Sequence, residues 1–303
     1  MVKYYSLILA LFLFGCSSAS PSPTPVPTAQ ATLTPLPSPT AAPTSIPDYV
    51  TKIRNAEYQL GTTDTLHVVQ LKDGKFEQGA PGGTDYISVN VTDFIAKSGN
   101  EYAALIAENY GGSGTFVFLA IYTDVNGAPK FLTSRIVDDR PQINALSFDG
   151  TNNISLDAVI HGSQDPMCCP ALRTIRHYYL DKAGPLVMSD YSTFTLDNKA
   201  REIKIETPAN NTETYSSVKF HGSVTVAPFE NNLVYRIYDL AGVELASGSV
   251  PVSASQLGGS GTFDSVISLG NSLSGATVRI EIQDVSAADG SLLAMDSVEL
   301  VVK

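Results

Sequence analysis

From residue 48 onward, apolar side chains recur at every second position in short runs separated by Gly, Asp and Asn. No stretch of residues 48–198 carries a convincing three-to-four spacing of an amphipathic helix. Val278, Ile280 and Ile282 against Arg279, Glu281 and Gln283 is the clearest case. Successive side chains on a strand point to opposite faces, so this period makes half-buried strands. A sheet with one apolar face must cover it with a second layer, which confines the chain to stacked or closed β architectures. The fold class expected is mostly β.

The pattern is cleanest over residues 200–303. Ile203 and Ile205 open it, and Pro208, Ala209, Asn210 and Asn211 make a turn. Val218, Phe220, Val224 and Val226 alternate with polar residues, as do Leu233, Tyr235 and Ile237; Phe263 with Ile267, and Val298 with Leu300 and Val302, complete the set. About seven short strands in roughly 100 residues is the size of an immunoglobulin-like β-sandwich. The core Trp and intersheet disulfide of antibody domains are missing. Gly222, Phe229-Glu230 and residues 239–242, 261–263 and 286–290 fall in an order that resembles the immunoglobulin-like domain of bacterial spore germination proteins, the Gmad type, across about residues 201–302. That resemblance implies a binding or spacing role and brings no catalytic residue. Asp289-Gly290 reads as a turn, with Asp284 and Asp289 as a candidate cation pair.

Residues 48–198 read as a separate β-rich module, with α+β as its variant. Residues 66–71, 102–107 and 116–122 are expected strands. The last is apolar throughout, which puts it at the centre of a sheet covered on both faces. Ile154, Leu156, Ala158 and Ile160 form one arm of a hairpin and residues 173–180 the other; the connection, 162–171, holds Cys168 and Cys169. Three elements, Gly111-Gly112-Ser113-Gly114-Thr115-Phe116, Asp139-Arg140 and Asp165-Pro166-Met167-Cys168-Cys169-Pro170, occur in that order. Over about residues 55–190 the set resembles a module of bacterial exported lipoproteins sometimes found beside META-type domains. It brings no activity to carry over. Relatives carry an Asp-rich turn before the Gly-rich element; residues 93–101 keep Asp93 here without the regular oxygen ligands of a calcium loop. The hexapeptide beginning at Gly111 recurs at Gly258 without repeating flanks, and both copies read as turns that feed strands.

Cys168-Cys169 is the most chemically pointed feature. Adjacent Cα atoms lie ~3.8 Å apart, below the ordinary span of a disulfide, so a vicinal bridge strains its peptide. Three readings stand: a vicinal disulfide that stiffens the loop before Pro170, two thiols without a role, or a soft-metal or thiol-redox site. The metal candidates are His161, Cys168 and Cys169, with Met167 beside them. They fall short of an ordinary four-ligand zinc set, and His177 lies too far along its strand to join. No cofactor or metal is assigned.

The N-terminus reads as an export signal. Lys3 precedes the apolar residues 7–14, and Leu13-Phe14-Gly15-Cys16 has the form of a lipobox. Residues 1–15 are the expected signal peptide, and Cys16 the lipidated first mature residue. Two acyl chains there make a stable membrane anchor at ~0.8 kcal/mol per buried methylene. From 17 to 47 the chain holds nine of its 18 prolines and no charged residue. Such a segment cannot bury enough apolar area to fold and reads as a disordered or polyproline tether, roughly 95 Å long if fully extended.

Charge narrows the partners. Residues 48–198 carry 18 acidic against 11 basic side chains, and residues 199–303 carry 12 against 7. Neither half has a basic cluster, which argues against nucleic acid. Gly-Gly-Ser-Gly-Thr fails as a nucleophile elbow, and no phosphate loop or His-Glu-X-X-His helix occurs. Asp138 and Asp139 are a carboxylate pair that could serve a hydrolase, and beside Arg140 and Pro141 they read more simply as a charged turn. His67 and His221 lie in alternating strands and read as structural. The expectation is a non-enzymatic, lipid-anchored protein outside the cytoplasm that binds an envelope protein or glycan. The runner-up is a thiol- or copper-handling envelope protein using Cys168 and Cys169, with an envelope hydrolase behind it.

Overall fold

The computed structural model describes residues 47–61, 67–149, 152–181, 186–270 and 273–303. Cys16, the leader and almost all of the Pro-rich segment lie outside these, as does Leu66 of the first expected strand. Residues 46–303 form one compact unit.

A short helix, α1 (Asp48–Arg54), and a ribbon of β1 (Glu57–Gln59) with β2 (Val68–Gln70) come first. A five-stranded antiparallel sheet follows in chain order: β3 (Lys75–Gln78), β4 (Ile87–Ser98), β5 (Glu101–Asn109), β6 (Phe116–Val125) and β7 (Ala128–Asp139). A second antiparallel layer is the meander β8 (Gln142–Phe148), β9 (Asn153–Ile160), β10 (Leu172–Leu180) and β11 (Leu186–Phe194). The strands β5 and β6 are buried on both faces. Tyr102, Ala104, Ile106, Ala120 and Tyr122 face a core closed by Ile53 of α1 and by Tyr58 and Val69 of the ribbon. Ala103, Leu105, Val117, Leu119 and Ile121 face Leu156, Ala158 and Tyr178 of the second layer. Two covered faces leave no position in the middle of β6 for a polar side chain, which accounts for its unbroken apolar run.

Residues 93–101, aligned by resemblance with an Asp-rich turn, are mostly strand. β4 runs through Ser98, its ladder is irregular between Val91 and Ile95, and the turn is Gly99-Asn100. Asp93 pairs with Arg54 at 2.7 Å.

The remaining elements are β12 (Ala200–Arg201), β13 (Ile203–Thr207), β14 (Thr212–Thr214), β15 (Ser217–Val224), a single 3-10 turn (Phe229–Asn231), β16 (Asn232–Tyr238), β17 (Glu244–Ala254), β18 (Gly261–Ser268), β19 (Thr277–Val285) and β20 (Leu292–Val302). They build an immunoglobulin-like sandwich. One sheet is β13-β15-β18 with the end of β17, and the other is the start of β17 with β16, β19 and β20. β17 changes sheets at Pro251, whose missing N–H would weaken a continuous ladder on both sides. Phe220, Leu233, Ile237, Val250, Phe263, Val278, Ile280, Ile282 and Leu300 fill the space between. Each such side chain contributes about 1.5–3 kcal/mol on burial. Gly222 is required at its place, because a Cβ there would lie 2.2 Å from the Lys204 carbonyl oxygen and 2.4 Å from the Phe263 ring.

The outer edge of β20 is not left open. Its first part pairs antiparallel with β11 through Ala294, Met295 and Asp296, and its last part pairs parallel with β14. Exposed strand edges template unwanted pairing, and this one is occupied along both parts. The meander and the sandwich thereby share one hydrogen-bonded sheet.

Candidate functional site

The three elements singled out in residues 55–190 meet at one end of the two stacked sheets. β7 leaves the five-stranded sheet at Asp139, and the chain turns at Arg140, whose φ is +51°, and Pro141 into β8. The Gly-rich turn enters β6 beside this corner, with Gly111 at φ +83°. Asp139 Oδ1 accepts from the Thr115 N–H at 2.7 Å, and its carboxylate takes the Arg140 guanidinium as a fork at 2.7–3.1 Å. The Arg140 bonds hold the Asp139 carboxyl below its ordinary range, so it stays ionised. Asp138 turns to the neighbouring strand end, where its Oδ2 accepts from the His161 backbone N–H at 2.5 Å and meets His161 Nδ1 at 2.9 Å. That bond raises the His161 pKa. Asp138 and Asp139 are thus both engaged in this corner.

The loop after β9 is pinned from several sides. His161 Nε2 lies 3.2 Å from the Met167 carbonyl oxygen. Asp165 Oδ2 accepts from the N–H groups of Gly162 at 2.8 Å and Ala171 at 2.7 Å, which closes the loop's base and lowers the Asp165 pKa. Cys169 N–H donates to Pro166 O at 2.9 Å. Cys168 and Cys169 are joined as a vicinal disulfide, both exposed, with Met167 73% exposed beside them. Ser163 Oγ donates to Asp289 Oδ2 in the turn before β20.

That last contact leads to a second feature. The turn at 286–288 lines one side of a groove of about 620 Å³ at the end of the sandwich. Val226, Ala227 and Pro228 line it as buried residues, and Leu293 adds apolar surface. Phe229, 66% exposed, and Leu257, 81% exposed, stand beside it. Glu230 and Asn231 both take left-handed φ, +56° and +52°, and turn the chain sharply after Phe229. Ala227 N–H donates to Gly259 O at 2.6 Å and ties the two loops that carry Phe229 and Leu257.

The other candidate residues disperse. Asp284 is buried against Arg201 at 3.3 Å, and burial raises its pKa. Asp289 accepts from Ser291 N–H at 3.0 Å and Ser291 Oγ at 2.8 Å besides Ser163, so the two carboxylates have separate protein partners. His177 sits in β10, where burial lowers its pKa, and His221 pairs with Asp264 at 3.1 Å. The His67 carbonyl accepts from Leu60 N–H. Among the described residues, no group of three or more His, Cys, Asp or Glu side chains is placed to hold a metal. The Ser163–Asp289 contact and the groove were not read from the sequence; Phe229 was noted only as part of a resemblance.

A family model described as the immunoglobulin-like domain of bacterial spore germination matches residues 202–291, covering β13 through the turn before β20. No curated protein matches the chain.

Proposed function

We propose that this chain is a non-enzymatic, lipid-anchored envelope protein that presents its immunoglobulin-like domain to a protein or glycan partner. The observation that carries the reading is the groove at the end of the sandwich. A concave apolar lining beside exposed Phe229 and Leu257 offers a partner buried contact area with an aromatic anchor. The likeness of residues 202–291 to the immunoglobulin-like domain of bacterial spore germination is consistent with this use. The carboxylates and histidine at the corner serve structure: Asp139 holds a turn, and Asp138 with His161 holds a loop. Residues 13–16 and the uncharged Pro-rich segment support export, anchoring through Cys16 and display at a distance from the membrane.

Two measurements on the full chain test the reading. Cys16→Ser moves the protein from the membrane pellet to the soluble fraction; equal sedimentation removes the anchor. Phe229→Ser with Leu257→Ser abolishes retention of envelope protein or glycan by the immobilised chain while the melting temperature holds. Equal retention removes the groove as the binding face.

A further inference from the structure

We infer that the Cys168–Cys169 bond is a surface thiol-exchange site whose partner is a neutral or cationic dithiol, small or protein-borne. The inference is independent of the binding reading, and three observations carry it.

The first is what the bond does not hold. A disulfide stabilises a fold by closing a loop in the unfolded chain, and the effect grows with loop length. This one closes the shortest loop a chain can make, between neighbours. The loop around it is already fastened at Asp165, at His161 and at Ser163. The second is access. Both cysteines are exposed on a loop, so an incoming thiolate reaches them without unfolding β9 or β10. The third is charge. Asp138, Asp139, Asp165 and Asp289 bond to the loop and its corner, where Arg140 pairs with Asp139 and the His161 ring with Asp138. The attacking thiolate is itself an anion, so a thiol that carries further negative charge approaches this surface against the greater repulsion.

The exchange is balanced within the pair of reactants. A thiolate of the dithiol attacks one cysteine sulfur, the Cys168–Cys169 bond breaks, and the other cysteine leaves as a thiolate and takes up a proton. The second thiol of the dithiol, after losing its proton, attacks the mixed disulfide. It releases the first cysteine, which is protonated in turn, and closes the dithiol's own ring. Two electrons pass to the chain, and the dithiol becomes a disulfide.

The test uses folded, full-length protein with dithiothreitol as the neutral probe and a dianionic thiol of matched pKa as the contrast. Free thiols are trapped with N-ethylmaleimide and mapped by peptide, so that Cys16 is read separately. Two labels are expected on the peptide holding Cys168 and Cys169 while the β-sheet circular dichroism is unchanged, and excess oxidised dithiothreitol added before trapping prevents the labelling. The neutral probe reacts about ten-fold faster at low salt, and the gap narrows at high salt. Cys168→Ala with Cys169→Ala melts within about 2 °C of the parent. Labelling that needs denaturant, or loss of the sheet on reduction, overturns the site. A large drop in melting temperature of the double variant makes the bond a staple and overturns it equally. Equal rates for the two thiols overturn the assigned partner.

Discussion

Asp190 and Asp296 stand directly opposite each other on β11 and β20, within the three-residue ladder that joins the meander to the sandwich. Asp296 Oδ2 accepts from the Ile205 N–H at 2.7 Å and its Oδ1 from the Ser297 N–H at 2.8 Å. Burial pushes the Asp190 carboxyl up to about 7, helped by the charges of Asp296 and Glu202. Burial pushes Asp296 up to about 6, against the pull of those two N–H groups and Lys204. His177 on β10 is the register partner of Asp190 on its other side, and burial disfavours its charged form.

Because both carboxyls titrate higher in the folded state than the ordinary 3.8, folding favours their protonated forms. Their contribution is most favourable at acid pH and is lost as pH rises from about 4 through 7. Asp190→Asn removes one of the two half-buried charges and keeps the shape. Urea unfolding at pH 8 is expected to find the variant more stable by about 1–3 kcal/mol, with the difference closing near pH 4. A constant difference across that range would refute the assignment.

Gly222→Ala places a methyl group against the Lys204 carbonyl and the Phe263 ring, where 2.2–2.4 Å is available. One neighbour is backbone and the other is a core ring, so neither yields cheaply. A loss of about 2 kcal/mol or more is expected in chemical denaturation. Stability equal to the parent would show that β13 shifts freely.

Asp138→Asn removes the carboxylate that raises the His161 pKa. The His161 proton is then lost at a lower pH, which NMR titration of its ring resonances reads directly. In the parent, this pair favours the folded state while His161 is charged and stops doing so as pH passes the folded pKa. An unmoved titration in the variant would place the cause elsewhere.

Glu108 is completely buried in the first core, where Oε1 accepts from the Tyr58 hydroxyl at 2.5 Å and from Gly61 N–H at 2.9 Å. The Tyr110 hydroxyl donates to its other oxygen. Tyr58→Phe withdraws one donor from a buried carboxylate at almost unchanged volume. A cost of about 1–3 kcal/mol is expected in thermal or urea unfolding. No change in either would mean that the remaining donors suffice.

The parts legible in the sequence were those where burial on one face, or on both, wrote a strong pattern. β6, β9, β10 and β19 are such strands, and so was the hairpin that carries the cysteines. β7 and β17 were not read, because much of each is exposed and their residues give no clean alternation. Pro251, which lacks a ladder N–H, also argues against a continuous strand there. The corner that gathers Thr115, Asp139 and His161 depends on which strand ends share one end of the sheets, and spacing along the chain does not carry that. Asp190 and Asp296 did leave a trace, a carboxylate in the middle of each of two otherwise strand-like segments. Their partnership exists only in the pairing of β11 with β20, which local patterning does not specify.

That pairing has a consequence for how the protein comes apart. The turn between β11 and β12 exposes Leu196, and a protease can reach it. Cutting there makes two polypeptides, but the fragments stay stitched along Ala294, Met295 and Asp296 and by β12 lying against β11. The nicked protein should run as one particle on a sizing column and as two bands only in detergent.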